Sequence, residues 1–213
     1  MKNKNGAVSR KETSKSWWQR QRINGLRLSA LLFLPLCILT QPVIAFGSLG
    51  FALMDTVGIL LVLVGVFGRF WCIMYIGGRK AALVFQDGPY SISRHPLYLF
   101  STIASVGLGL MLGSLTLAVL IGVIVFLILF YTAAHEEVFL RKEFGSDYDK
   151  YAARVPRILP NLSLWKTERV IQSNIKQLRT NFQDGLVFIS FIPISRLIVW
   201  SRETLDLGLI TLL

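Results

Sequence analysis

Charged, polar blocks alternate along the chain with apolar runs of membrane length. Residues 26–47, 51–76, 97–134 and 185–200 are the apolar runs, and no strand pattern is obvious among them. A membrane-spanning helix needs about 20 such residues. The third run, from Leu97 to Ala134, would reach roughly 55 Å as one helix, against about 30 Å of hydrocarbon. It must fold back on itself, and Gly113-Ser114 is the natural turn. The pattern predicts a helical hairpin, with a short helix near 97–112 and a longer one near 115–140. Residues 26–47 predict a first span, kinked at Gln41-Pro42. Gly47-Ser48-Leu49-Gly50 then turns the chain into a second span over 51–76. Residues 185–200 are short and interrupted by Pro193 and Arg196; they can span as a tilted helix or lie in the interface, and a span is the preferred expectation. The fold class is all-α: an integral membrane bundle of about five transmembrane segments.

The polar blocks complete the layout. Residues 1–25 form a basic arm ending in Trp17-Trp18, residues suited to the headgroup level. Residues 26–163 are the expected membrane core, and 164–213 a C-terminal extension carrying the fifth apolar segment. Gly77-Gly78 and Asp87-Gly88-Pro89 punctuate the connector over 77–96. Phe144-Gly145 and Val155-Pro156 break residues 141–183 into short helical pieces.

Composition agrees with a membrane protein. The chain of 213 residues is 53% hydrophobic with a mean hydropathy of +0.55. Its net charge of +11 could suggest nucleic acid, but the distribution argues otherwise. Of 23 Lys and Arg, eight lie in residues 1–27, three in 77–97 and nine in 135–183. Such segregation is the positive-inside pattern, so these blocks and the N-terminus are expected at the cytoplasmic face. The partners implied are the bilayer and anionic headgroups, with no nucleic acid. Short loops favour a bacterial inner membrane. The apolar run begins only near Leu26 without a small-residue cleavage site, so the first helix is expected to be retained. Cys37 and Cys72 read as buried small hydrophobes.

Chemistry concentrates at the two ends of the hairpin. Gly88-Pro89-Tyr90 and Arg94-His95-Pro96-Leu97-Tyr98 stand at its start, and His135-Glu136-Glu137 at its end. Residues 99–134 between them carry no charge, so a hairpin returns both clusters to one membrane face. Both histidines of the chain lie there. The zinc-protease motif is absent because its second histidine is missing, and no metal is expected. Nor is there a Gly-rich phosphate loop. Adjacent carboxylates, a histidine, a cation and aromatic rings suit a small ligand with hydroxyls and positive charge. Each residue alone has a structural reading. Glu137 and Arg141 can pair along a helix, Pro96 suits a helix start, and Tyr90 and Tyr98 suit an interface. Arg69 sits inside the second span, where a charge either snorkels or holds an anionic group.

These residues resemble a known signature. Gly88-Pro89-Tyr90, Arg94-His95-Pro96-Leu97-Tyr98, Glu136-Glu137, Phe144-Gly145, Tyr148, Tyr151 and Val155-Pro156 resemble the signature of the isoprenylcysteine carboxyl methyltransferases, relatives of the phospholipid methyltransferases. The likeness covers roughly residues 60–160. It implies a membrane enzyme using S-adenosylmethionine, open to the cytosol, with a lipid or lipidated acceptor entering from the bilayer. Tyr90, His95, Pro96 and Tyr98 would help hold the cofactor. Glu136 and Glu137 would contact it or align the reacting groups, with Arg94 beside them. Arg94, a catalytic candidate, and Arg69 and Arg154 would meet a substrate carboxylate or headgroup. The family often has Gly two residues after the motif tyrosine, where this chain has Phe100. The implied reaction is carboxyl O-methylation of a prenylcysteine-type substrate. Phospholipid amine N-methylation and a non-catalytic membrane scaffold or carrier are the alternatives.

Overall fold

The computed structural model describes residues 40–42, 47–76, 84–168, 171, 173, 175–205 and 210–212. The elements run β1 (Thr40–Pro42), α1 (Leu49–Ile76), α2 (Pro89–Ile92), α3 (Pro96–Met111), α4 (Leu115–Phe144) and α5 (Ser146–Arg154). A 3-10 turn (Leu162–Leu164), α6 (Ile175–Leu205) and β2 (Ile210–Leu212) follow. Apart from the short parallel pair β1–β2, the architecture is a helix bundle. Among the described residues, three helical stretches are long and apolar enough to cross a membrane: α1, α4 and Asn181–Arg202 within α6. Helix α3, with 16 residues, reaches only about 24 Å, short of the hydrocarbon thickness.

The hairpin forms where the apolar pattern placed it. Its turn is Leu112-Gly113-Ser114, and Ser114 Oγ caps α4 by accepting the Leu117 N–H at 3.2 Å. Three expectations have different outcomes. Most of the apolar run 26–47, and the arm 1–25, lie outside the described residues. The kink expected at Gln41-Pro42 is an extended pair instead, with Gln41 opposite Thr211. A residue before proline is driven out of the helical region, which favours that outcome. The C-terminal apolar segment is part of one continuous 31-residue helix that includes Pro193. In lipid a helix is the one open-ended segment that satisfies its own backbone, so proline is tolerated there.

Hydrophobicity drives little helix association inside a bilayer; close packing and polar contacts do it. Helices α1 and α3 use the first. A Cβ on Gly58 would stand 2.7 Å from the Gly107 carbonyl, and one on Gly107 would stand 2.5 Å from the Gly58 carbonyl. Two turns along, a Cβ on Gly65 would stand 2.5 Å from that of Ala104. Next to the turn, α3 meets α4 through Gly109 and Ala118.

Helix α6 uses polar contacts at two levels. Near its start, Arg69 of α1 donates to Asn181 Oδ1 at 3.2 Å and lies 3.9 Å from Asp184. Further along, Arg196 pairs with the buried Asp55 of α1, and Arg202 donates to the Leu112 carbonyl at 3.2 Å. Between the two levels, Phe188 and Ile192 pack on Val62, Val66 and Met111. Charge exchange tests this latch. Asp55→Arg or Arg196→Asp alone strands a charge beside lipid and should lower stability by about 2–4 kcal/mol. The double exchange should recover most of it in thermal unfolding of the detergent-solubilised protein; an additive loss would refute the pairing.

Candidate functional site

The site is built where α3 begins and α4 emerges. His95 is the N-cap of α3 and Pro96 its first residue, a position where a missing N–H costs nothing. The His95 side chain makes no capping bond. Its ring instead stacks on Tyr98, with centroids 5.4 Å apart and planes within 4°. Glu136 and Glu137 are consecutive on α4, hence about 100° apart around the helix. One therefore turns inward and the other outward. The Glu137 side chain is 3% exposed and that of Glu136 is 46% exposed.

Glu137 is the hub. Arg157 donates to both of its oxygens, from Nε and NH2, at 2.9 Å each. Arg94 NH1 lies 3.3 Å from Oε1. His95 Nε2 approaches the same oxygen at 3.4 Å, off the hydrogen-bond direction, while its Nδ1 lies 3.7 Å from Glu136 Oε2. Bidentate guanidinium–carboxylate pairs are among the strongest charge-assisted contacts. The pairing with Glu137 raises the Arg157 pKa further, so the guanidinium stays charged.

A clamp after α4 delivers Arg157. Helix α4 stops at Gly145, whose φ of 54° a residue with a side chain rarely adopts. Tyr148, Tyr151 and Val155 then bury against Val84, Leu140 and Phe144. The Tyr151 hydroxyl donates to the Tyr90 carbonyl at 2.7 Å. Beyond Val155 the chain runs along the motif at the start of α3. Arg94 N–H donates to the Pro156 carbonyl and His95 N–H to that of Arg157, both at 2.9 Å. Ser93 Oγ donates to the Ile158 carbonyl at 2.9 Å. At the far end of this pairing, Gly88 N–H donates to the Lys166 carbonyl at 2.7 Å. Burial raises the pKa of all three phenols, that of Tyr148 to about 12 with help from the Glu137 charge. They stay protonated at neutral pH, as donors.

Arg94, His95, Pro96, Tyr98, Glu136 and Glu137 are thus brought together. Tyr90 lies buried behind them, tied through its carbonyl to Tyr151. Two predicted residues stand apart. Arg69 donates to Ser101 Oγ at 2.6 Å, one turn along α3 from Tyr98, and is committed to the α1–α3–α6 junction. Arg154 donates to Gln86 Oε1 at 2.7 Å on the surface. The helical pair available to Glu137 and Arg141 does not form; Arg141 turns to Asp149 at 3.3 Å, because Arg157 and Arg94 already occupy Glu137. Phe100 lies off the cluster, against Gly68 and Trp71 of α1. Arg157 was missed. Its only sequence signal is a cation directly after Val155-Pro156.

Four buried polar atoms here make no hydrogen bond among the described residues: the Tyr90 and Tyr148 hydroxyls, Arg94 Nε and His95 Nε2. Such atoms are costly unless a ligand or water completes them.

Comparison with known proteins identifies relatives of this chain. The phospholipid methyltransferase family profile matches residues 53–147. The nickel-cobalt-cadmium resistance protein NccN of Alcaligenes xylosoxydans xylosoxydans is 33% identical over 70% of this chain and 69% of its own length. The cobalt-zinc-cadmium resistance protein CzcN of Cupriavidus metallidurans is 34% identical over 64% of this chain and 63% of its own. Protein-S-isoprenylcysteine O-methyltransferase B of Arabidopsis thaliana is 38% identical over 35% of this chain and 38% of its own. No solved structure matches.

Proposed function

The chain belongs to the superfamily of phospholipid and isoprenylcysteine methyltransferases, and from that premise we propose that it methylates a lipidic acceptor with S-adenosylmethionine. The observation that carries the proposal is the parallel His95–Tyr98 stack beside the half-exposed Glu136, with orphaned donors around it. This donor set fits the cofactor. Planar rings suit an adenine or a sulfonium, the Glu136 carboxylate suits ribose hydroxyls or an ammonium, and Arg94 Nε suits a carboxylate. His95, Pro96, Tyr98 and Glu136 would hold it, with Tyr90 supporting the motif from behind.

His95, Pro96, Tyr98 and Glu136 would hold S-adenosylmethionine, which would supply an electrophilic methyl group for an acceptor carboxylate, the S–CH3 bonding pair staying with sulfur. The chain's own residues position and exclude water. A carboxylate acceptor needs no base, and charge is neutralised as it reacts, so orientation in a dry site can supply much of the acceleration. Glu137 is saturated by Arg157 and Arg94, so it fixes the cluster, while Glu136 faces the ligand. Arg94 lies beside the reacting groups.

The proposed site opens to the cytosol from a bacterial inner membrane. Carboxyl O-methylation is the preferred reaction, on the likeness to the isoprenylcysteine enzyme. The phospholipid methyltransferase profile favours a second reading, N-methylation of a phospholipid amine. Metal resistance in the names of NccN and CzcN describes a phenotype of those proteins and leaves this acceptor open.

Membranes containing the protein, incubated with methyl-labelled S-adenosylmethionine and extracted, separate the readings. Label released by alkali as methanol identifies an ester; alkali-stable label in amine lipids identifies N-methylation. Loss of one charge-assisted contact in Glu136→Ala should weaken cofactor binding about tenfold or more while the protein stays inserted. Unchanged binding in both Glu136→Ala and His95→Ala would refute the site, and unlabelled membranes together with no cofactor binding by the intact protein would leave only a scaffold.

A further inference from the structure

Two charged side chains of opposite sign stand at the open edge of the cluster. Glu136 is one; the other is Arg157, whose side chain is 33% exposed although it grips the buried Glu137. The bond to Glu137 uses only the Nε–NH2 edge of the guanidinium. An arginine carries five N–H donors, so further donor capacity remains on the NH1 side. The guanidinium also sits over the Phe130 ring, 5.1 Å from its centroid. Phe130 is seven residues before Glu137 on α4, about 10 Å toward the apolar part of that helix. It contacts the Phe126 ring one turn further along, at 5.9 Å. Both rings are partly exposed. Arg157 therefore joins a carboxylate hub to an aromatic face that runs into the bilayer.

We infer that Arg157 receives the anionic head of the lipid acceptor and that the Phe126–Phe130 face of α4 seats its chain. This rests on the methyltransferase reading and adds to it the acceptor's chemical class and its side of approach. The alternative approach, between α1 and α3, is closed by backbone contact at Gly58–Gly107 and by Gly65 on Ala104, and at the site end by Phe100 on Gly68. A cation held by a buried carboxylate and an aromatic face is pre-oriented, so little side-chain freedom is lost when it takes an anion. The opposite charges of Glu136 and Arg157 would place a cationic methyl donor and an anionic acceptor on neighbouring edges. A carboxylate acceptor becomes neutral once esterified, and the hold of Arg157 on it then ends.

Photocrosslinking tests this without relying on turnover. The full chain carrying Phe130→benzoylphenylalanine is placed in phosphatidylcholine vesicles with minor oleate and phosphatidylglycerol, and its adducts are identified by mass spectrometry. Leu120→benzoylphenylalanine, at an exposed position near the hairpin turn, reports the bulk lipid. Adducts at 130 should be enriched in anionic lipid by about fivefold over those at 120, the effect of one basic side chain on an anionic head. Oleate and phosphatidylglycerol separate a carboxylate from a phosphodiester preference. Arg157→Gln should remove the enrichment and Arg157→Lys should keep most of it, each variant being checked for monodisperse folded protein. Equal adduct composition at 130 and 120 with Arg157 intact would overturn the inference. Methyl label appearing in the membranes in that case would leave the methyltransferase reading standing.

Discussion

Glu137→Ala is expected to abolish S-adenosylmethionine binding and to destabilise the protein in the same step. Glu137 is the one anion fully buried between Arg94, Arg157 and His95. Removing it leaves two guanidinium groups facing each other without a counter-charge. Breaking a buried pair in this way costs about 3 kcal/mol, toward the lower end of the usual range because Arg157 is one-third solvated. The loss should also release the segment around Arg157 from α4 and so spread the cluster apart. Glu136→Ala provides the contrast. Its side chain is half-exposed and makes one long contact, at 3.7 Å to His95 Nδ1. That variant should keep its melting temperature and lose ligand affinity. Thermal unfolding in detergent and calorimetric titration with the cofactor distinguish the two. An equal loss of stability in both variants would refute the division between a buried hub and an exposed ligand contact.

Gly107→Leu should be as damaging from a different place. The new side chain would meet the Gly58 backbone, which cannot rotate aside as a side chain can. Overpacking commonly costs 1–3 kcal/mol, and a clash with backbone at a helix crossing should reach about 3 kcal/mol or more. Helix α3 carries His95 and Tyr98 at its start, so separating it from α1 tilts the site as well. The expected result is low yield of monodisperse protein and loss of cofactor binding, with α4 substitutions such as Val119→Leu as a neutral control on an exposed face. A stable, cofactor-binding Gly107→Leu protein would show that α1 and α3 do not meet as described.

The hairpin and the break at Gly145 were legible because both follow from local rules. An uncharged run too long for one crossing must turn, and Gly113-Ser114 offers a natural place. The pairing of the two motifs at one end was equally legible, since it follows from the hairpin. Arg157 was not. Nothing in the order of residues says that the segment after Val155-Pro156 doubles back along residues 88–95, because that pairing runs through backbone atoms that every residue has. Arg69 misled for a related reason. A charge inside a span signals a partner, but its partners Asn181 and Asp184 are over a hundred residues away on α6.

The sequence by itself determined that the chain is a membrane bundle, where its polar face lies, and which motif residues share that face. Apolar length and charge segregation decide these, and both are written along the chain. Only the tertiary structure decided which of two adjacent glutamates is buried and which is open. It also decided that Arg157 completes the hub and that α6 latches onto α1 through Asp55 and Arg196. Those outcomes depend on which helix faces meet, and contacts between distant helices leave no periodic mark in either partner's sequence.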